Sequence, residues 1–121
     1  MNYKIWLILI FSLAWLNPAL ATPANISLNY DSDSQTLKID VAHVSNNVRE
    51  HYIRRLVIYK NGLEIKSMTF PRQPTPTGFT QDISLATQPG DLIKVEAFCR
   101  EGGTAEAHIV IAQPEEGSQT K

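Results

Sequence analysis

The chain has 121 residues, with 11 basic and 12 acidic side chains and a formal net charge of −1 at pH 7. That balance, without any dense basic cluster, gives no electrostatic footing for nucleic acid. One cysteine, Cys99, excludes an internal disulfide framework.

Lys4 precedes a run from Ile5 to Leu16 that is apolar and aromatic apart from Ser12, and Asn17-Pro18 break it before Ala19-Leu20-Ala21. A positive start, a short apolar stretch and a small-x-small site define a secretory signal peptide, too short for the roughly 20 residues of a spanning helix. Residues 1–21 are therefore expected to be removed. The mature chain of about 100 residues is one domain's worth, expected in the periplasm or secreted, with no membrane attachment after cleavage.

From Ile26 onward the chain reads as short strands separated by turn residues. Ile26, Leu28 and Tyr30 alternate, Asp31-Ser32-Asp33-Ser34 turn the chain, and Leu37, Ile39 and Val41 alternate again. Tyr52 to Tyr59 is rich in Ile, Val, Leu and Tyr, and Asn61-Gly62 joins it to a return strand from Leu63 to Phe70. Asn-Gly between two such runs is a strong hairpin signal, because both turn residues must accept positive φ. Pro71, Pro74 and Pro76 mark a loop. Phe79, Ile83 and Leu85 form a further strand, Pro89-Gly90-Asp91 lead into Leu92 to Arg100, and Gly102-Gly103 turn into Ala105 to Ala112. Residues 22–112 thus form an all-β immunoglobulin-like antiparallel sandwich of about seven strands. The polar tail, residues 113–121, is expected to be disordered.

Alternation along a strand places His43 with Leu37, Ile39 and Val41 on the inward face, and Cys99 with Ile93, Val95 and Ala97. His51 opens the next strand and shares its parity with Ile53 and Val57. In a seven-stranded sandwich the loops after the second and sixth strands project from one end. His43, His51 and Cys99 are therefore expected together at that end. Imidazole nitrogen with thiolate sulfur suits iron, copper or zinc rather than calcium or magnesium. The plainer alternative stays open: a strand-end histidine bonded to a loop carbonyl, and a cysteine packed as a small hydrophobe.

Other chemistry is thin. His108 has the opposite parity to Ile109 and Ile111 and reads as a surface residue, and the adjacent Arg54 and Arg55 are expected to face opposite sides of their strand. Asn25-Ile26-Ser27 fits a glycosylation sequon, meaningful only in a eukaryotic secretory pathway. No Gly-x-Ser-x-Gly elbow or phosphate-cradling glycine loop occurs.

His51-Tyr52-Ile53 followed by an apolar strand and Asn61-Gly62, with Gly90-Asp91-Leu92-Ile93-Lys94-Val95-Glu96-Ala97-Phe98-Cys99, resembles the iron-binding domain of superoxide reductases, the desulfoferrodoxin and neelaredoxin family. The resemblance runs from about Ile26 to Gly103. It implies an immunoglobulin-like sandwich with one iron held by four histidines and an axial thiolate, reducing superoxide to peroxide with an electron from a donor or partner protein. His43 and His51 would be equatorial ligands, and Cys99 the axial one. Gly102 stands where that family has a ligand histidine, and Ala21-Thr22-Pro23, where its first ligand falls, holds none. The chain also resembles the Z subunit of periplasmic thiosulfate-oxidation complexes. That subunit is a metal-free structural partner with a similar His-[Tyr/Phe]-Ile strand, a late Gly-Asp and a glycine turn into a last strand.

Overall fold

The computed structural model describes residues 24–113. The signal segment and the tail beyond residue 113 lie outside the described residues. Seven antiparallel strands follow one another: β1 (Asn25–Asp31), β2 (Thr36–Ala42), β3 (Ile53–Lys60), β4 (Leu63–Thr69), β5 (Gly78–Ser84), β6 (Leu92–Cys99) and β7 (Thr104–Val110). They form two sheets, β1-β2-β5 and β4-β3-β6-β7, packed face to face as a β-sandwich. The fold expected from alternation and turn chemistry is the one observed.

The alternation has a direct consequence in β2, where Leu37, Ile39 and Val41 are buried and Lys38, Asp40 and Ala42 are exposed. Ile93, Val95 and Ala97 of β6 meet them from the other sheet, and Ile53, Leu56, Ile58, Ile83, Leu85 and Ile111 complete the buried cluster. Burying each large aliphatic side chain contributes about 1.5–3 kcal/mol, so this cluster carries the fold. Among the described residues the edge strand β4 pairs with β3 alone, and its Leu63 is 72% exposed.

Turn residues decide how the strands join. Asn61 and Gly62 take φ of 53° and 87°, and Lys60 pairs directly with Leu63 across them, a two-residue hairpin. Asn61 then pins the next turn, because its amide donates to Asp91 Oδ1 at 2.9 Å and its Oδ1 accepts the Leu92 N–H at 2.9 Å. Gly78 opens β5 opposite Ala42 with φ of 138°, and a Cβ there would lie 1.9 Å from the Val41 carbonyl oxygen. Only glycine lets β5 approach the end of β2 so closely.

One feature of β3 departs from strict alternation. Ile53 pairs with Cys99 but Arg55 with Phe98, so β3 spends one residue more than β6 there, a β-bulge. The bulge corrects two expectations. Arg54 and Arg55 both lie between the inward-facing Ile53 and Leu56, so they do not straddle the strand. The parity beyond them inverts, so Leu56 and Ile58 join the core cluster, whereas Val57, although buried, lies outside it beside Ser67 and Glu96. The guanidinium of Arg55 stacks 5.5 Å from the Phe98 ring centroid on that outer face.

Candidate metal centre

His43 extends the inward set of β2 by one more step and is 1% exposed. Its backbone N–H donates to the Thr77 carbonyl at 3.0 Å, just ahead of Gly78. On the facing sheet Cys99 ends β6 with its side chain on the inner face, and its Sγ lies 3.9 Å from His43 Nε2. His51 meets the same place from the turn before β3, with its ring edge-on to that of His43, centroids 4.7 Å apart at 85°. One ligand atom from each of the three side chains falls within 4.8 Å of the others. The residues singled out in sequence are thus brought together at one end of the sandwich.

The turn that delivers His51 is built from its own polar side chains. Ser45, 3% exposed, donates its hydroxyl to the His51 carbonyl oxygen and accepts the Asn47 N–H at 3.2 Å. His51 N–H donates to the Asn47 carbonyl at 2.8 Å, and Ser45 N–H to the Pro76 carbonyl at 2.8 Å. From the other side, Arg100 N–H donates to the Tyr52 carbonyl at 2.9 Å and its guanidinium pairs with Glu50 at 3.1 Å. That ion pair is exposed and worth at most about 1 kcal/mol, so the buried Ser45 hydroxyl holds the turn more firmly.

Sequence reasoning missed Gln73. It sits between Pro71 and Pro74, where no periodicity marks it, yet it is 1% exposed beside His43. Its Nε2 donates to two carbonyl oxygens, of His43 at 2.7 Å and Thr75 at 2.9 Å. The other end of the amide is therefore the oxygen, which accepts the Ile53 N–H at 3.2 Å and faces His43 Nδ1 at 2.8 Å. An amide oxygen only accepts, so His43 Nδ1 carries the proton and Nε2 presents its lone pair toward Cys99. A buried imidazole oriented by an outer hydrogen bond, with its free nitrogen aimed at a thiol, has the arrangement of a ligand held for a metal.

His51 is half-buried and lines a cleft of about 340 Å³ with Val44, Asn46, Asn47, Glu50 and Glu101, which opens this one member of the cluster to solvent. His108 does not contribute. It is exposed, and it pairs with Lys94 well along β6 from Cys99 and on the outer face of that sheet. Among the described residues, His43, His51 and Cys99 form the one group of three or more such donors close enough to share an ion. Those donors fit a single transition metal, whereas the four-histidine, one-thiolate iron centre implied by the resemblance does not fit, since only two of its four imidazoles are present in the cluster.

No protein-family model matches the chain, and no curated protein matches its sequence. Solved structures do match by shape. The superoxide reductase (neelaredoxin) from Ignicoccus hospitalis aligns over 74% of this chain and 78% of its own, at 16% identity and a TM-score of 0.49. A single-residue variant of it aligns over 78% and 82%, at 17% identity and a TM-score of 0.51. At this identity the likeness defines the fold: a β-sandwich of the kind superoxide reductases have.

Proposed function

We propose that this chain is an exported metal-binding domain of superoxide-reductase-like fold, in which His43 Nε2, a ring nitrogen of His51 and Cys99 Sγ ligate one transition metal. The observation that carries the reading is the convergence of three ligand atoms within 4.8 Å, one of them on a buried imidazole whose tautomer is set by Gln73. Two imidazoles and a thiolate leave coordination positions open, which belongs to a reactive or electron-transferring centre rather than a closed structural one. A bound metal there would supply one-electron chemistry, with the thiolate donating charge to it. His43 and Gln73 would hold the interior donor in place, and the cleft beside His51 would admit a small molecule or a partner protein's electron-donating surface. Iron is the metal the family resemblance implies. Export and a periplasmic or secreted location follow from residues 1–21 read as a signal peptide.

A second reading follows from Gly102 and from the absence of histidine in Ala21-Thr22-Pro23. On that reading the sandwich is a non-enzymatic partner domain, similar to the Z subunit of thiosulfate-oxidation complexes. Metal analysis and visible spectra of the purified protein and of Cys99→Ser separate the two. Stoichiometric metal with a thiolate charge-transfer band lost in Cys99→Ser supports the metal centre. Metal no higher than trace, in both reducing and aerobic preparations, leaves the partner domain.

A further inference from the structure

The number, softness and spacing of the donors select among metals, and they do not select the one the fold implies. We infer that His43, His51 and Cys99 form a three-coordinate copper site. The inference rests on the metal-centre reading and names its metal.

The donor count comes first. Among the described residues no carboxylate or further imidazole joins the cluster. Glu50 is engaged by Arg100 at 3.1 Å, Glu101 lies exposed at the mouth of the cleft, and His108 is on the far face. Ferrous iron on three protein donors takes two imidazoles with a carboxylate, whereas two imidazoles with one thiolate are a copper donor set.

The spacing agrees. With bonds of about 2.05 Å to nitrogen and 2.3 Å to sulfur, neighbouring ligands stand about 3.1 Å apart on an octahedral ion, about 3.6 Å on a tetrahedral one and about 3.8 Å on a trigonal one. His43 Nε2 and Cys99 Sγ are 3.9 Å apart. His43 is held by Thr77 and Gln73 on one sheet and Cys99 by its strand pairing with Ile53 on the other, so the lower-coordinate spacings ask for the smaller movement of the two side chains.

Affinity completes the argument. For a fixed set of nitrogen and sulfur donors, divalent affinity rises from iron to copper and falls again at zinc, and thiolate further favours Cu(I). Copper is therefore expected to bind at least roughly 100-fold more tightly than Fe(II) or Zn(II).

The test is competitive titration of the metal-free protein with Cu(I), Cu(II), Zn(II) and Fe(II) under anaerobic conditions, in wild type, Cys99→Ser and His51→Gln. One equivalent of copper that displaces Fe(II) and Zn(II), with an intense thiolate-to-Cu(II) band absent from Cys99→Ser and weakened in His51→Gln, is the expected result. Circular dichroism of both variants checks that each is folded, and His51, half-buried at the mouth, is the variant less coupled to the core. Fe(II) or Zn(II) held as tightly as copper overturns the copper assignment and leaves the metal centre standing. Cu(II) that merely oxidises the protein to a Cys99-linked dimer overturns it as well. Failure of all four ions to bind removes the metal centre itself.

Discussion

Gln73 Oε1 lies 2.8 Å from His43 Nδ1, although thirty positions separate the two residues, and the same oxygen accepts the Ile53 N–H at 3.2 Å. One buried amide therefore ties the loop after β4, the end of β2 and the start of β3 into a single unit around the site.

Replacing Gln73 with Leu leaves two donors and two carbonyls of that unit without partners. Each unsatisfied buried group costs about 1–3 kcal/mol, so a loss of at least about 3 kcal/mol is expected by chemical denaturation. In Gln73→Glu the oxygen acceptor survives and the two amide donations are lost. Nitrogen NMR of the His43 ring distinguishes a positioning role from mere packing: one Nδ1–H tautomer in wild type and Gln73→Glu, a mixture in Gln73→Leu. Under the metal-centre proposal, metal affinity of Gln73→Leu is expected to fall by about 10–100-fold.

Ser45→Ala removes the hydroxyl that joins the His51 carbonyl to the Asn47 N–H. The expected loss is about 1–2 kcal/mol, because the Ser45 side chain itself is buried although the turn around it is open to water. Arg100→Ala, which breaks the exposed pair with Glu50 and the exposed guanidinium donation to the Glu50 carbonyl at 3.0 Å, is expected to cost less than about 1 kcal/mol. Urea melts of the two variants, run side by side, check the order; equal losses would mean that the surface pair holds the turn.

Gly78→Ala places a methyl carbon against the Val41 carbonyl oxygen and forces an alanine to φ of 138°. A destabilisation of about 3 kcal/mol or more is expected. Because Thr77 and Pro76 accept the backbone N–H groups of His43 and Ser45, the shift of β5 also disturbs His43 and the Ser45 turn, and under the metal-centre proposal metal release at lower temperature than in wild type is the second readout.

At the opposite end, the Asn61 amide and the Gln88 N–H hold the Asp91 carboxyl below its ordinary value of 3.8. A carboxyl whose folded pKa is depressed stabilises the fold fully above its unfolded value and loses that contribution as pH falls through the folded one. Stability is thus expected to decline below about pH 4. Asn61→Gly keeps the positive φ of the turn and removes the amide, so its stability should fall less than that of wild type as pH drops below about 4. Thermal melts across that range check the difference in slope.

Most of the sandwich could be read from local chemistry, because a strand's side chains alternate with a period of two whatever lies opposite. Leu37, Ile39, Val41 and then His43 point inward by that rule, as do Ile93, Val95, Ala97 and then Cys99, and Asn61-Gly62 announces its hairpin through the φ values it tolerates. A rule of local alternation fails where the partner strand imposes a different count. The bulge at Ile53 and Arg55 exists only in the pairing of β3 with β6, and it put Leu56 and Ile58 rather than Val57 into the core. Gln73 was invisible for a related reason: its role is a set of four hydrogen bonds to residues distant in the chain or in its own loop, and nothing about a glutamine between prolines foretells them. Parity could aim His43 and Cys99 at the same interior, but the 3.9 Å between them comes from the packing of two sheets, which no pattern along either strand records.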